Sequence, residues 1–475
     1  MISEKSFENV RKLLQKHDQG HLLAFWGQLD DSQRQHLLAD IETLDLDKID
    51  SWIENYVKKA VTVVLPADFC PAPYYSLQPQ DSAQQRKYAE ARNLGNELIS
   101  AGKVAAFVVG GGQGTRLGFD WPKGDFHISP VKNKTLFQIF AEMLIVISQR
   151  HKKVCPWYIM TSPLNYPQTI DIFRRNNYYG LKESDVFIFE QDMLPNFGFD
   201  GRILLADKDR IASSPDGHGG CLKALYKSGA IEDMKKRGVE FISYWQVDNP
   251  LVNIIDPLFI GLHALDKAEM SSKGLVKSGP KEKVGNFCLV DGRVTVIEYS
   301  DLPDELTEKR NPDGSLVFRL GSIAIHIINT SFVEKLNIKG FSLPLHRAVK
   351  KIPHIDELGN HIEPDKPNGI KLETFVFDAL PLARKSIILE TLRSEEFAPV
   401  KNATGPDSAE VTRRMMVERA ACWLESAGVV VPRRPDGTVD CLIEIAPGFA
   451  LEKDDVKTMK DRIPKIKTGD KVYLA

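Results

Sequence analysis

A glycine-rich stretch, Gly110-Gly-Gly-Gln-Gly-Thr-Arg-Leu-Gly118, follows directly on the apolar run Val104 to Val109 and is itself followed by Trp121-Pro122-Lys123-Gly124. Glycines at the end of a strand let the backbone approach phosphate oxygens and aim successive N–H groups at them, while Arg116 and Lys123 add mobile positive charge. The stretch reads as a phosphate cradle. It is not the dinucleotide fingerprint, which needs glycine where Thr115 stands, nor the P-loop, which needs Gly-Lys followed by Ser or Thr. A bare glycine cluster is equally a tight turn at a strand end. The arginine and the Pro-Lys pair at this spacing favour the cradle.

Around this loop the pattern alternates. Apolar runs at Trp157 to Met160, Val186 to Phe189 and Phe241 to Val247 are separated by amphipathic segments. The first of these segments presents Leu136, Ile139, Phe140, Met143, Leu144 and Ile147 on one face behind a Thr135/Gln138 capping box. Such an order predicts an α/β fold with a Rossmann-like mixed, mainly parallel sheet. Residues 1–100 are helical in periodicity, broken at Leu65-Pro66 and Cys70-Pro71 and resuming from Ser82 to Ser100. Beyond about residue 385 short β runs at Val429 to Val431 and Cys441 to Ile445 flank a Pro435-Asp436-Gly437 turn. The expected organisation is a helical region over 1–100, a catalytic domain over 101–385 and a small domain over 386–475.

Sixty-two Lys and Arg against 64 Asp and Glu leave a formal charge of -2, so no general field steers nucleic acid or anionic membrane, and phosphate binding has to be local. The six cysteines show no CxxC pair and read as reduced, mostly buried thiols. The N-terminus mixes charges where a signal peptide needs an apolar core, and no stretch reaches bilayer-spanning length. A cytoplasmic protein is expected. Oligomeric state leaves no mark.

The loop closely resembles the signature of eukaryotic-type UDP-sugar pyrophosphorylases, the UDP-N-acetylhexosamine branch in particular. The resemblance continues in order through Lys134-Thr-Leu-Phe-Gln138, Trp157-Tyr-Ile-Met-Thr-Ser162, Met193-Leu-Pro195, Pro215-Asp-Gly-His-Gly-Gly220, Val247-Asp-Asn249, Val296-Ile-Glu-Tyr-Ser300, Pro364-Asp-Lys-Pro-Asn-Gly-Ile-Lys371 and Phe397-Ala-Pro-Val-Lys-Asn402. It implies a fold of the nucleotide-diphospho-sugar transferase type and, as substrates, UTP and a sugar 1-phosphate. It also implies that Val109, Gly110, Gly111 and Gly112, with Gln191 and Gly217, hold the uridine of UTP, that Lys123 contacts its phosphates, that Lys371 and Lys401 make nucleotide, sugar or phosphate contacts, and that Asp248 holds Mg²⁺. On the same resemblance Lys401 is expected to meet the sugar phosphate, and His218, Glu298 and Ser322 to line the sugar pocket.

Physical chemistry agrees at several of these positions. Gln191 closes the run Val186 to Phe189, and its amide can pair with donor and acceptor edges of uracil. Asp248 stands at the carboxyl end of the run Phe241 to Val247, where open α/β sheets gather ligands. Alone, it reads as a turn residue before Pro250, just as lone lysines at 371 and 401 read as solvated surface groups. His218 and Ser322 depart from the amino-sugar pattern, which has asparagine at both positions; the histidine form is similar to that of glucose-type enzymes.

The expected reaction is attack by a sugar 1-phosphate oxygen on the α-phosphorus of UTP, with Arg116, Lys123 and Mg²⁺ neutralising the departing pyrophosphate. N-Acetylglucosamine 1-phosphate is narrowly favoured as the acceptor; glucose 1-phosphate or a broad set of hexose 1-phosphates is the alternative. A glycosyltransferase centred on Asp207-Lys-Asp209 is a more distant reading, since that pair sits where a turn is expected, and a non-catalytic nucleotide-sugar sensor is another.

Overall fold

The computed structural model describes residues 4–59, 65–66, 68–338, 340–341 and 343–475. They form two compact units, neither contiguous in sequence: one from residues within 1–64, 191–221 and 342–376, the other from 65–190, 222–341 and 377–475.

The larger unit is built on a ten-stranded sheet: β1 (Phe69–Pro71), β2 (Val104–Val109), β3 (Trp157–Thr161), β4 (Val186–Glu190), β5 (Phe241–Gln246), β6 (Met270–Val276), β7 (Asn286–Val290), β8 (Arg293–Ile297), β9 (Leu320–Asn329) and β10 (Ile388–Thr391). The main path runs β1-β7-β9-β5-β2-β3-β4, with β6 pairing β9 and β10, and β8 pairing β7. The expected β2 forms with the expected bounds, and β3, β4 and β5 end within one residue of theirs. The expected parallel character holds for one half, where β5, β2, β3 and β4 lie side by side. The other half is antiparallel around β9, apart from the parallel pair of β6 and β10.

β2 reads Val-Ala-Ala-Phe-Val-Val because both of its faces are covered. Val104, Ala106 and Val108 pack with Phe137, Phe140 and Leu144 of the helix Leu136–Arg150. On the opposite face Phe107 meets the rings of Phe189 and Tyr244. Thr135 caps that helix by accepting from the Gln138 N–H. The reciprocal half of the expected capping box is not made: Gln138 donates instead to Glu142 Oε1 at 3.0 Å, its neighbour one turn on. The predicted helix Ser82–Ser100 crosses the helix Pro257–Leu265 so closely that a Cβ on Gly95 would overlap the Pro257 carbonyl, and one on Gly261 the Ala91 carbonyl.

At the C-terminal end Leu442–Ile445 pairs in parallel with Lys471–Leu474 over a core that includes Leu424, Ile443 and Val456. The β run expected at Val429 to Val431 does not form. Pro432 has no N–H to give a ladder, and pairing begins only at Arg433 with Val439, across the turn at Asp436 and Gly437.

In the smaller unit the helices Glu4–Lys16, Asp31–Glu42 and Leu46–Trp52 enclose Leu22, Leu37 and Ile49 together with Phe197 and Ile370. The last two belong to a three-stranded antiparallel sheet of Phe197–Gly198, Gly369–Glu373 and His346–Lys350. The buried Gln19 side chain ties this layer to the helices, donating to Gly201 O at 3.1 Å and accepting from Ile203 N at 2.9 Å. Asp207 and Asp209 lie on a hairpin, as a turn reading expects, with Asp209 3.3 Å from His36. All six cysteines are free, four of them buried, and no described helix is long and apolar enough to cross a membrane.

His263, in the helix packed against the sheet, is fully buried between Ser271 Oγ and Asn329 Oδ1, each 2.7 Å from a ring nitrogen. Burial lowers its pKa from 6.5 to about 4, against the raising effect of the Asn329 bond. A base depressed in the folded state favours folding above its unfolded pKa and loses that contribution as protons bind the unfolded chain. Acidification from pH 6.5 to 4 should therefore remove on the order of 3 kcal/mol at this site. Denaturant midpoints measured across that window should show a steeper fall for the parent than for His263→Gln. Equal slopes would contradict the assignment.

Candidate active site

In the larger unit, β2 and β5 are parallel neighbours in register from Val104/Phe241 to Val109/Gln246, so the residues after both emerge at one end of the sheet. The Val247 N–H still bonds Val109 O at 3.1 Å, which brings Gly110 and Asp248 out side by side. The loop carbonyls are held from behind. Ser162 Oγ donates to Gly111 O at 3.2 Å, and Asn165 Nδ2 lies 3.4 Å from Gly110 O and 3.5 Å from Gly112 O. Neither Ser162 nor Asn165 received a role in the sequence reading. The available signal is an asparagine before Tyr166-Pro167, where the next helix starts.

The chain then makes a hairpin, Gln113–Gly114 with Phe119–Pro122, and Lys123 N returns to Gly112 O at 3.3 Å. Lys123 Nζ thereby lies 3.5 Å from Asp248 Oδ2, both side chains nearly buried. Burial alone would raise the Asp248 carboxyl. The charges of Lys123 and then Lys401, with the Lys123 hydrogen bond, outweigh it and hold the pKa below the usual carboxylate range. The segment carrying Lys401 is strapped to the same place: Val400 N donates to Asp248 O at 2.8 Å and Ala403 N to Arg116 O at 3.0 Å. Arg116 is fixed by its backbone while its side chain is exposed.

Beneath this end of the sheet lies a charged cluster that the sequence does not announce. Lys273 of β6 is 1% exposed, with Nζ 2.5 and 2.7 Å from the Glu396 oxygens and 2.7 Å from Asp256 Oδ2. Asn249 joins the cluster to the site, donating to Glu396 O at 2.7 Å and accepting from Ala398 N at 3.0 Å. The path from Lys273 to Asp248 and Lys401 is thus a continuous set of short polar contacts.

Ser322 stands at the start of β9, an antiparallel neighbour of β5, so it lies toward the sheet end where Asp248 emerges. Its N–H bonds Gly285 O at 2.8 Å, and a Cβ on Gly285 would come within 3.1 Å of Glu298 Oε1. Gly285, Glu298 and Ser322 therefore form one local group.

The smaller unit holds the remaining predicted residues. Gln191 donates through Nε2 to Asp216 Oδ1 at 2.7 Å and to Gly217 O at 3.0 Å. Gly217 has φ +85° and a Cβ there would strike the Thr374 backbone, so glycine is required. His218 Nδ1 accepts from Val376 N at 3.1 Å, which leaves the ring proton of the neutral tautomer on Nε2. The ring stacks on Phe375, which stacks in turn on His346. Lys371 sits mid-strand opposite Ala348, its ammonium pKa lowered by burial against the pull of Glu373.

The chain is similar to known proteins along most of its length. The family model described as UTP–glucose-1-phosphate uridylyltransferase matches residues 57–475. The chain is 37% identical over 472 residues to the human UDP-N-acetylhexosamine pyrophosphorylase-like protein 1, covering 93% of this chain and 92% of that protein. It is 34% identical to the UDP-N-acetylglucosamine pyrophosphorylase of Saccharomyces cerevisiae, over 96% and 98% of the two chains. Among solved structures it is similar to the putative UDP-N-acetylglucosamine pyrophosphorylase of Entamoeba histolytica, with TM-score 0.74, 32% identity and coverage of 86% of this chain and 99% of that one.

Replacing Lys273 by methionine keeps its length but strands two buried carboxylates, which should cost about 3–5 kcal/mol. Thermal melting of Lys273→Met should show that loss, and adding Asp256→Asn with Glu396→Gln should restore most of it. A single variant that melts with the parent would remove the cluster from the support of the site. By the span of the family match, and by relatives more than 30% identical along nearly the whole chain, this protein belongs to the UTP–glucose-1-phosphate uridylyltransferase family.

Proposed function

We propose that this uridylyltransferase joins UTP to an N-acetylhexosamine 1-phosphate, N-acetylglucosamine 1-phosphate first, in the cytoplasm. The observation that carries the reaction type is the Lys123/Asp248 pair at the end of the glycine loop, with Lys401 acting on the same carboxylate. The names of relatives above 30% identity favour the amino sugar, whereas UDP-glucose enzymes among the solved structures, such as the one from Trypanosoma brucei at 17% identity, share the fold alone.

An ionised Asp248 next to a phosphate cradle suits Mg²⁺, which takes one or two protein carboxylates and completes its shell with phosphate oxygens and water. When bound there, Mg²⁺ neutralises phosphate charge.

The protein's own groups do the rest by position and charge. Val109 to Gly112 present backbone to the nucleotide, and Gln191 and Gly217 keep the uridine role that the family pattern gives them. Lys123 and Arg116 offset the negative charge on the β and γ phosphates, with Lys371 as a further phosphate contact. Lys401 holds the sugar phosphate, one of whose oxygens attacks the α-phosphorus in line. The new P–O bond forms as the bond to the bridging oxygen breaks, and its electron pair leaves on pyrophosphate. Glu298 and Ser322 accept sugar hydroxyl bonds, and His218 stands where the amino-sugar pattern has an asparagine.

Two measurements test the reading. Lys123→Ala should lower kcat on the order of 100-fold or more, since it removes a preorganised positive charge from the leaving group; a change of a few-fold would refute that role. Pyrophosphate release from UTP and Mg²⁺ should rank the N-acetylated sugar 1-phosphates above glucose and galactose 1-phosphates. The reverse ranking would support the second reading, which His218 and Ser322 favour: a glucose-type or broad-specificity enzyme.

A further inference from the structure

Lys277, just past the end of β6, is 7% exposed yet has no carboxylate within ion-pair distance among the described residues. Its Nζ meets a neutral acceptor, Asn286 Oδ1, at 2.6 Å. Burial lowers its pKa, and the more distant Glu282 only partly opposes this. A buried ammonium bonded to an amide oxygen is poorly compensated, because the attraction that usually offsets its desolvation is missing.

The surroundings add positive charge. Lys277 opens onto a cavity of about 260 Å³ that is also lined by Arg310 and Arg319 and by no carboxylate. Arg310 bonds the Gly314 carbonyl at 2.7 Å. Arg319 shares one terminal nitrogen with Glu390 at 3.5 Å, while its Nε is buried without a partner. The nearby acids are engaged elsewhere: Glu282 pairs with Arg393 and accepts from Ser278 N and Oγ, and Asp313 accepts from Ser315 N and Oγ.

From the cavity, its three cations and the uncompensated Lys277, we propose a binding site for a phosphate group, separate from the cradle at Gly110 to Lys123. A tetrahedral dianion can accept from an ammonium and from guanidinium forks at once, the strongest class of neutralising contact available to this set. The site is tied to β9. The Lys277 N–H bonds Arg319 O at 2.9 Å, and Asn286, the lysine's partner, stands opposite Gly321, one residue before Ser322.

Titration with inorganic phosphate at low ionic strength, followed by calorimetry and by thermal shift, tests the site in the full chain. Lys277→Met and Arg319→Gln should each weaken phosphate binding about tenfold or more, whereas Lys123→Ala and Lys401→Ala should leave a saturable phosphate effect in place. A phosphate effect lost in the cradle variants and intact in Lys277→Met would overturn the proposal, as would no binding by the parent. Should Lys277→Met fail to fold, Arg319→Gln decides. Tighter binding of glycerol 2-phosphate than of free phosphate assigns the site to a phosphate monoester; the opposite order assigns it to the free anion.

Discussion

The active-site end of this protein depends on one parallel ladder. Six successive residues of β2 pair with six of β5 in strict register, so the glycine loop and Asp248 cannot slide past one another. A shift of one residue would turn Val108 and Trp245 away from the Phe137 and Phe140 layer and expose apolar surface on both strands. Packing thus fixes the separation between the glycine-loop backbone and the Asp248 carboxylate. The chemistry borrows its precision from the core.

Charge follows the same economy. Asp248 is buried and ionised because two lysines from distant parts of the sequence converge on it, and each arrives by a backbone bond: Lys123 through Gly112, Lys401 through the Val400 contact to Asp248 itself. Below them a single ammonium, Lys273, is shared by two buried carboxylates, Asp256 and Glu396. A reaction between two anions needs a cationic working face. At Asp248 two lysine charges, Lys123 and Lys401, stand against one carboxylate.

Much of this arrangement is legible in the sequence, and the remainder is hidden for identifiable reasons. Val104 to Val109 announces itself by an unbroken apolar run, and Asp248 by its place after another, since both strands are covered on two faces. Ser162 and Asn165 are harder to read because they act on carbonyls more than fifty residues earlier, and only the fold makes them neighbours. Lys273 looks like a solvated strand residue until β10 and the helix Pro257–Leu265 enclose it. The capping box fails for a local reason: Glu142, one turn on, offers the Gln138 amide a charged acceptor.

The least readable feature is the one that places Ser322. Between Ser322 and His326, β9 spends four residues where β6 spends two, and Ala324 takes a left-handed φ of +55°. An L-residue there costs about 1–2 kcal/mol, and nothing in Gly-Ser-Ile-Ala-Ile marks it as a bulge. The distortion is sustained by what lies on either side. From His326 onward β9 is held between β5 and β6, whereas at Gly321 it lies between β6 and β7. One strand changes partners across the bulge, and Ser322 is left bonded to Gly285 beside Glu298 instead of continuing the β5 ladder. The position of Ser322 is therefore set by a break in the sheet, and that of Asp248 by its regularity.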